Sequence, residues 1–313
     1  MTATPARVIF LGSGGFAVPI LYRLGHIADV DVVGVVSTPA KPAGRRGIVT
    51  PVPVAAAARK RGVPLMQPPQ VRDPRAIAAI RELEPDLGIL ADYGQIVPQA
   101  LLDLPAHGFL NVHPSLLPRH RGASPIAATI LEGDTETGVT LIEMDAGLDT
   151  GPIVAAERWP LEGTETASEL EARAAGVGAG LLSKTIGAWL RGEVAARPQG
   201  EDGATMTRLL RREDGRLDVW LTAEELERQV RAYQPWPGSF LETAGGRLVV
   251  WGATVDDPTN ETLPGTLGPG PDLRVATAEH WLRLDEVQPA GGRRMPGDAW
   301  LRGRPAAAGS VVG

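Results

Sequence analysis

The chain has 313 residues, 43% of them hydrophobic, a net charge of −6 and no cysteine. That length and apolar content suffice for a large core and two domains, whereas the lack of cysteine excludes disulfides, a thiolate nucleophile and cysteine-ligated zinc or iron–sulfur sites. The five histidines fall into no metal-ligand spacing, so no metal is expected, and the acidic balance argues mildly against nucleic acid unless a local basic patch overrides it.

Residues 7–11 read as a buried first strand, followed by Gly12-Ser13-Gly14-Gly15-Phe16 and an apolar-periodic helix over 16–27. The spacing Gly12-x-Gly14-x-x-Ala17 fits a permissive dinucleotide fingerprint. The second strand, 31–37, decides against it, because Ser37 and Thr38 stand where a dinucleotide site wants Asp or Glu. The glycines are therefore read as a tight turn or as room for another ligand. From Lys41 to Arg61 there are six basic residues (Lys41, Arg45, Arg46, Arg59, Lys60, Arg61) and no acidic one. Pro42, Gly44 and Gly47 predict a loop there, then a short Ala-rich helix. Taken alone, the charges suit a solvated face as well as a phosphate partner.

Strand 63–66, helix 74–83 and strand 86–91 continue an alternation that predicts a doubly wound, mostly parallel α/β sheet. The run then ends in Asn111-Val112-His113, whose alternation sends Asn111 and His113 to one face and Val112 to the other. Pro114, Pro118 and Gly122 predict an irregular loop over 114–122, just past the carboxyl end of a strand, where ligands of such sheets bind. Asp149 lies in the turn between Gly147 and Gly151, after a strand over 138–144. Alone, each is more often a turn former or a structural histidine. Together an amide, an imidazole and a carboxylate suffice for acyl transfer to an amine.

After strand 153–159 a long helix runs over 166–190, and the polar stretch 192–204, with Pro198, Gly200 and Gly203, reads as a linker. Beyond it, helix 224–232 and short strands at 239–243, 247–252, 273–276 and 281–286 suggest a small β-barrel. The first residues lack a charged segment leading into a long apolar core, and no stretch reaches membrane-spanning length. A cytoplasmic location is expected.

N-V-H-P-S-L-L-P-R-H-R-G-A-S-P-I and M-D-A-G-L-D-T-G-P-I resemble the signature of the 10-formyltetrahydrofolate-dependent formyltransferases, and within them most closely the methionyl-tRNA formyltransferases. The resemblance implies a catalytic set of Asn111, His113 and Asp149, and a folate-side loop of Ser115, Leu116, Leu117 and Pro118. Asp92-Tyr93-Gly94-Gln95-Ile96 resembles a segment lining the folate pocket, which implicates Tyr93, Gly94, Gln95 and Ile96. P-A-G-R-R-G is similar to the loop that holds a tRNA acceptor end, implicating Lys41, Arg45 and Arg46, although Ile48-Val49 stand where lysines often continue it. His120 replaces the usual Trp between two arginines, and Pro114 a common Gly or Ala. R-E-D-G-R-L-D, Q-P-W-P-G-S-F and Q-P-A-G-G-R-R-M extend the similarity to about Met295.

The implied organisation is a Rossmann-like catalytic domain over 1–191, a linker over 192–205 and an OB-type tRNA-binding barrel over 206–313, working as a monomer without metal. The implied reaction carries a formyl group from 10-formyltetrahydrofolate to the α-amino group of methionyl initiator tRNA. Asn111 would donate to the formyl oxygen, Asp149 would hold and charge His113, and His113 would help hold the oxyanion and protonate the departing folate nitrogen. Rival readings are a formyltransferase for an amino sugar or glycinamide ribonucleotide, a formyltetrahydrofolate hydrolase, and a non-catalytic RNA-binding protein. A serine esterase is disfavoured by the absence of a G-x-S-x-G elbow.

Overall fold

A computed structural model of the chain describes residues 4–43, 48–256, 262–304 and 307–312. Seven strands of one sheet are, in chain order, β1 (Ala6–Gly12), β2 (Val30–Val36), β3 (Leu65–Met66), β4 (Leu87–Ala91), β5 (Phe109–His113), β6 (Glu136–Glu143) and β7 (Ile153–Pro160). Across the sheet they lie in the order β7-β6-β5-β4-β1-β2-β3. β1 to β5 pair in parallel, whereas β6 runs antiparallel to both β5 and β7. β4 and β5 are buried at every residue, as parallel strands covered on both faces must be, which is why their sequences read as near-continuous apolar runs.

Helices α1 (Ala17–Leu24), α2 (Pro53–Arg61) and α3 (Pro74–Arg81) separate the early strands. α2 and α3 each start on a proline, whose missing N–H would be unpaired there in any case, and the Asp73 carboxylate caps α3 by accepting from the Arg75 N–H at 2.9 Å. α1 ends at Leu24, not at 27 as its periodicity suggests, because His26 and Ile27 turn back onto the carbonyls of Arg23 and Leu24. Since the chain winds from β1 outward through β2 to β3 and then returns to β4 and β5, the sheet has its switch point at the carboxyl ends of β1 and β4.

Long helix α4 (Ala167–Leu190) lays small residues on this sheet. A Cβ added at Gly178 would sit 2.8 Å from Val112 Cγ1 and 3.4 Å from Val139 Cγ1, so Val112 faces the helix. Asn111 and His113 therefore share the opposite face, as the alternation in the sequence requires.

The carboxyl-terminal sheet is antiparallel. Its strands β8 (Ser239–Thr243), β9 (Gly246–Asp256), β10 (Arg274–Ala276) and β11 (Trp281–Pro289) lie in the order β8-β9-β11-β10. Register shifts beside Gly252 bend β9, and the sheet curls around a core of Leu217, Leu226, Leu248, Val250, Leu284 and Trp300 into a barrel-like domain. Helix α5 (Ala223–Ala232) packs on β9 and is opened by a capping box in which Thr222 and Glu225 satisfy each other's backbone N–H groups. The segments singled out in the sequence hold this domain together. Asp214 accepts two 2.7 Å hydrogen bonds from Arg208, and that pairing pulls its carboxyl down to about 2. Gln234 and Gln288 bond the carbonyl and the indole N–H of Trp251, over whose ring Arg294 lies at 3.4 Å.

Two compact units result, Met1–Pro125, Glu136–Pro160 and Glu171–Thr207 forming one and Ile126–Thr135, Leu161–Leu170 and Arg208–Gly313 the other. The stretch read as a linker belongs to the first unit: Arg197 bridges Ile153, and Met206–Thr207 pairs in parallel with Arg121–Gly122, a short strand inside the loop expected to be irregular. Lys41 lies not in a loop but in a short strand, Lys41–Ala43, paired antiparallel with Ile48–Thr50. Arg45 and Arg46 lie outside the described residues. No helix among the described residues is long and apolar enough to cross a membrane.

The glycines of α4 differ in what surrounds them. A Cβ at Gly176 or Gly180 would meet nothing within 4 Å, whereas at Gly178 it meets β5 and β6. Gly176→Ala and Gly180→Ala are each expected to raise unfolding stability by about 0.5–1 kcal/mol. Gly178→Leu is expected to lower it by about 1–2 kcal/mol, because overpacking outweighs the gain in helix propensity. Urea melts read both signs.

Candidate active site

Three side chains from β5 and the turn beyond β6 converge. Asn111, opposite Leu90 of β4 and Ile142 of β6, and His113, opposite Thr140, are 6% and 4% exposed. The Asn111 Nδ2 donates to Asp149 Oδ1 at 3.0 Å, and the backbone N–H of Gly122 donates to Asp149 Oδ2 at 2.8 Å. His113 Nδ1 stands 3.6 Å from the same Oδ2, close enough for charge attraction and too far for a formed hydrogen bond.

The other imidazole nitrogen is committed. His113 Nε2 lies 2.9 Å from the carbonyl of His120, and since a carbonyl only accepts, Nε2 carries its proton. The working nitrogen is then Nδ1, turned to the carboxylate. His120 takes a left-handed φ of +59° and is held there by a 2.8 Å bond from its N–H to Thr205 Oγ1. Gly122 has a φ of +101°, and a Cβ on it would fall 2.3 Å from the Thr207 carbonyl, so only glycine puts its N–H on Asp149. Neither backbone group was legible in the sequence, where Gly122 reads as a breaker and His120 as a substitution.

The remaining expected residues fall around this centre in different ways. Ser115 is fully buried, and its hydroxyl donates to the Arg119 carbonyl at 2.7 Å. Leu116 packs over Gly138, and the Leu117 N–H donates to Thr140 Oγ1 at 3.1 Å. These side chains shape the loop, with Pro118 in partial contact with water. Tyr93 turns its ring into the core beside Ile9, Leu11 and Phe109, where its hydroxyl has no partner and burial pushes its pKa up. Gln95 braces the neighbouring loop by accepting from the Val71 N–H at 2.8 Å, whereas Ile96 is 86% exposed and Gly94 adopts φ +79°. Among the described residues no group of three or more His, Asp or Glu side chains is disposed to hold a metal ion.

A model of the formyl transferase domain matches residues 6–186, and one of the formyl transferase carboxyl-terminal domain matches residues 209–305. The chain belongs to the formyl transferase family. It is 43% identical over 304 residues to a protein named methionyl-tRNA formyltransferase from Chloroflexus aurantiacus, covering 95% of this chain and 96% of that one. A protein of the same name from Myxococcus xanthus is 43% identical over 306 residues, with 97% of each chain covered. In fold the chain is also similar to an N-formyltransferase from Helicobacter canadensis in complex with folinic acid and dTDP-3-aminofucose, at a TM-score of 0.66, 16% identity and coverage of 89% and 99%.

The glycine loop after β1 faces the switch point and is filled by the protein's own charges. Asp92, at φ +45°, reaches over it, and a Cβ added at Gly14 would fall 1.6 Å from Asp92 Oδ2. Glu171 accepts from the Phe16 N–H at the start of α1, the position in which a dinucleotide would seat its pyrophosphate. Two carboxylates here repel phosphate, in keeping with the reading taken from Ser37 and Thr38.

Although Asp92 as a residue is reached by solvent, crowding about its carboxyl, joined by the charge of Glu171, pushes its pKa up to about 6. A raised acid pKa means that the folded state binds a proton more tightly than the unfolded one, so stability falls as pH rises from about 4 to about 6. Asp92→Asn, which keeps the shape and tolerates φ > 0, is therefore expected to melt at a higher temperature than the unmutated chain at pH 7.5. At pH 4 the two should nearly coincide. A melting difference that ignores pH contradicts this account of Asp92.

Proposed function

We propose that the chain transfers the formyl group of 10-formyltetrahydrofolate to the α-amino group of methionyl initiator tRNA in the cytoplasm, with Asn111, His113 and Asp149 as the catalytic residues, residues 1–191 as the catalytic part and 206–313 as the tRNA-binding part. The observation that carries the reading is the hydrogen bonding of one carboxylate, that of Asp149, whose side chain is 11% exposed, to Asn111 and the Gly122 N–H, with His113 facing it. The full-length similarity to proteins named methionyl-tRNA formyltransferase supports this acceptor over an amino sugar.

The geometry sets the roles. One N–H of the Asn111 amide is spent on Asp149, leaving the second to donate to the formyl oxygen as it gains charge, an effect of about 3–4 kcal/mol for one such donor. The α-amine titrates near 7–8, so it attacks the formyl carbon as the free base at little cost. As the new C–N bond forms, Asp149 takes the amine proton. As the bond from the formyl carbon to the folate nitrogen breaks, that nitrogen receives a proton from the Asp149–His113 pair. With Nε2 tied to His120, His113 stores a proton on Nδ1 and passes it through the carboxylate.

Ser115, Leu116, Leu117 and Pro118, together with Tyr93, Gly94, Gln95 and Ile96, are proposed to form the folate side through their loop backbones, since their side chains are largely committed to the fold. Lys41, Arg45 and Arg46 are proposed to meet the phosphates of the acceptor end.

Release of tetrahydrofolate is expected with charged initiator tRNA, and not with charged elongator methionine tRNA or free amino sugars; the reverse pattern assigns the small-amine reading. Asn111→Ala, His113→Ala and Asp149→Ala are each expected to cut turnover at least a hundredfold with the fold intact, and near-normal turnover removes that residue from the mechanism. Arg45→Ala and Arg46→Ala should each lower the slope of log affinity for tRNA against log salt by about 1, with folate binding unchanged. A slope identical to that of the unmutated chain makes these charges a mere solvated surface.

A further inference from the structure

Asp149 occupies a left-handed backbone conformation, φ +56°, which a non-glycine residue keeps only if its surroundings impose it. Those surroundings centre on Gln199. Its Nε2 donates to the Asp149 carbonyl at 2.8 Å and to the Gly151 carbonyl at 2.6 Å. Its Oε1 accepts from Arg121 Nε at 3.1 Å. Both amide hydrogens and the oxygen are thus used, and the two carbonyls allow only one orientation of the amide.

Arg121 joins this amide to the other half of the site. It is 5% exposed, yet its guanidinium also reaches the exposed Glu201 at 3.3 Å, and a buried cation needs such partners. Its backbone is fixed by the Thr205 carbonyl and the Thr207 hydroxyl. The next residue is Gly122, whose N–H holds Asp149 Oδ2. Gln199 therefore spans two loops, one carrying the carboxylate and one carrying the N–H that aims it.

We propose that Gln199, acting through Arg121, is a positioning residue that sets the Asp149 carboxylate for formyl transfer. The inference rests on the reading of Asp149 as catalytic. Without the amide, Asp149 stays in the chain but loses the constraint that keeps Oδ1 on Asn111 and Oδ2 beside His113. A loosened carboxylate slows the chemical step and leaves substrate binding almost untouched.

The test compares Gln199→Ala and Gln199→Glu in the full chain, each also combined with Asp149→Asn. Gln199→Glu keeps the size and the Arg121 contact but turns an acceptor towards two carbonyls, so a packing role would spare it. Both single variants are expected to lose about ten- to a hundredfold in kcat with KM for the folate and for the tRNA within about threefold. In the Asp149→Asn background the same changes should cost less than about threefold, because the group being positioned is gone. Independently of turnover, amide hydrogen exchange over residues 120–123 should quicken in both variants and stay unchanged over residues 6–12.

Gln199→Glu with wild-type kcat, an undiminished penalty in the Asp149→Asn background, or unchanged exchange at 120–123 overturns the proposal. Failure of the unmutated chain to formylate charged initiator tRNA overturns the functional reading instead, and leaves the exchange result as the measure of the brace.

Discussion

The site depends on one carboxylate held in an enforced place. Asp149 sits in a turn with a backbone angle of +56° and meets Asn111, Gly122 and His113 with its two oxygens. An unpaired charge with so little access to water would be costly, so two donors and an imidazole make the placement tolerable. The same contacts specify the chemistry: an amide with a free N–H, a carboxylate with remaining lone pairs and an imidazole turned to it by the His120 carbonyl. The architecture around it, from the antiparallel pairing of β5 with β6 to the segment 197–207 laid along both loops, delivers these groups to one point.

The sheet offers two places for a ligand, and the sequence closes one of them. At the switch point between β1 and β4, Asp92 and Glu171 occupy the glycine loop and the start of α1, so the feature that resembles a dinucleotide site repels phosphate. At the neighbouring edge the chain changes from parallel to antiparallel pairing, which brings the turn after β6 back across the end of β5. That reversal lets a residue 38 positions away, Asp149, meet Asn111.

Much of this was legible in the residues. The period-two alternation of Asn111-Val112-His113 on an apolar run fixed which face each side chain takes, and Gly178 of α4 explains why Val112 faces inward. The strand–helix alternation, the long helix and the short strands of the carboxyl-terminal domain follow from local patterns, which is where sequence reading is strongest. The contacts that pattern cannot carry were missed. Gln199 and Arg121 lie 78 positions apart, and a polar, proline-broken stretch reads as a linker because nothing local says that its amide completes a site. Lys41 stands on a strand because it pairs with Thr50, a partner that the local pattern does not reveal, and Tyr93 turns its ring into the core with Ile9, Leu11 and Phe109.

The most direct test of the site is a crystal structure of the chain with a stable formylated tetrahydrofolate. The arrangement of Asn111 and Asp149 is expected to place the formyl oxygen within about 3 Å of Asn111 Nδ2, in the hydrogen-bond range of an oxyanion donor, with the pterin along the backbones of residues 92–96 and 115–118. A folate bound at the glycine loop of residues 12–16, or a formyl group out of reach of both Asn111 and Asp149, would contradict it.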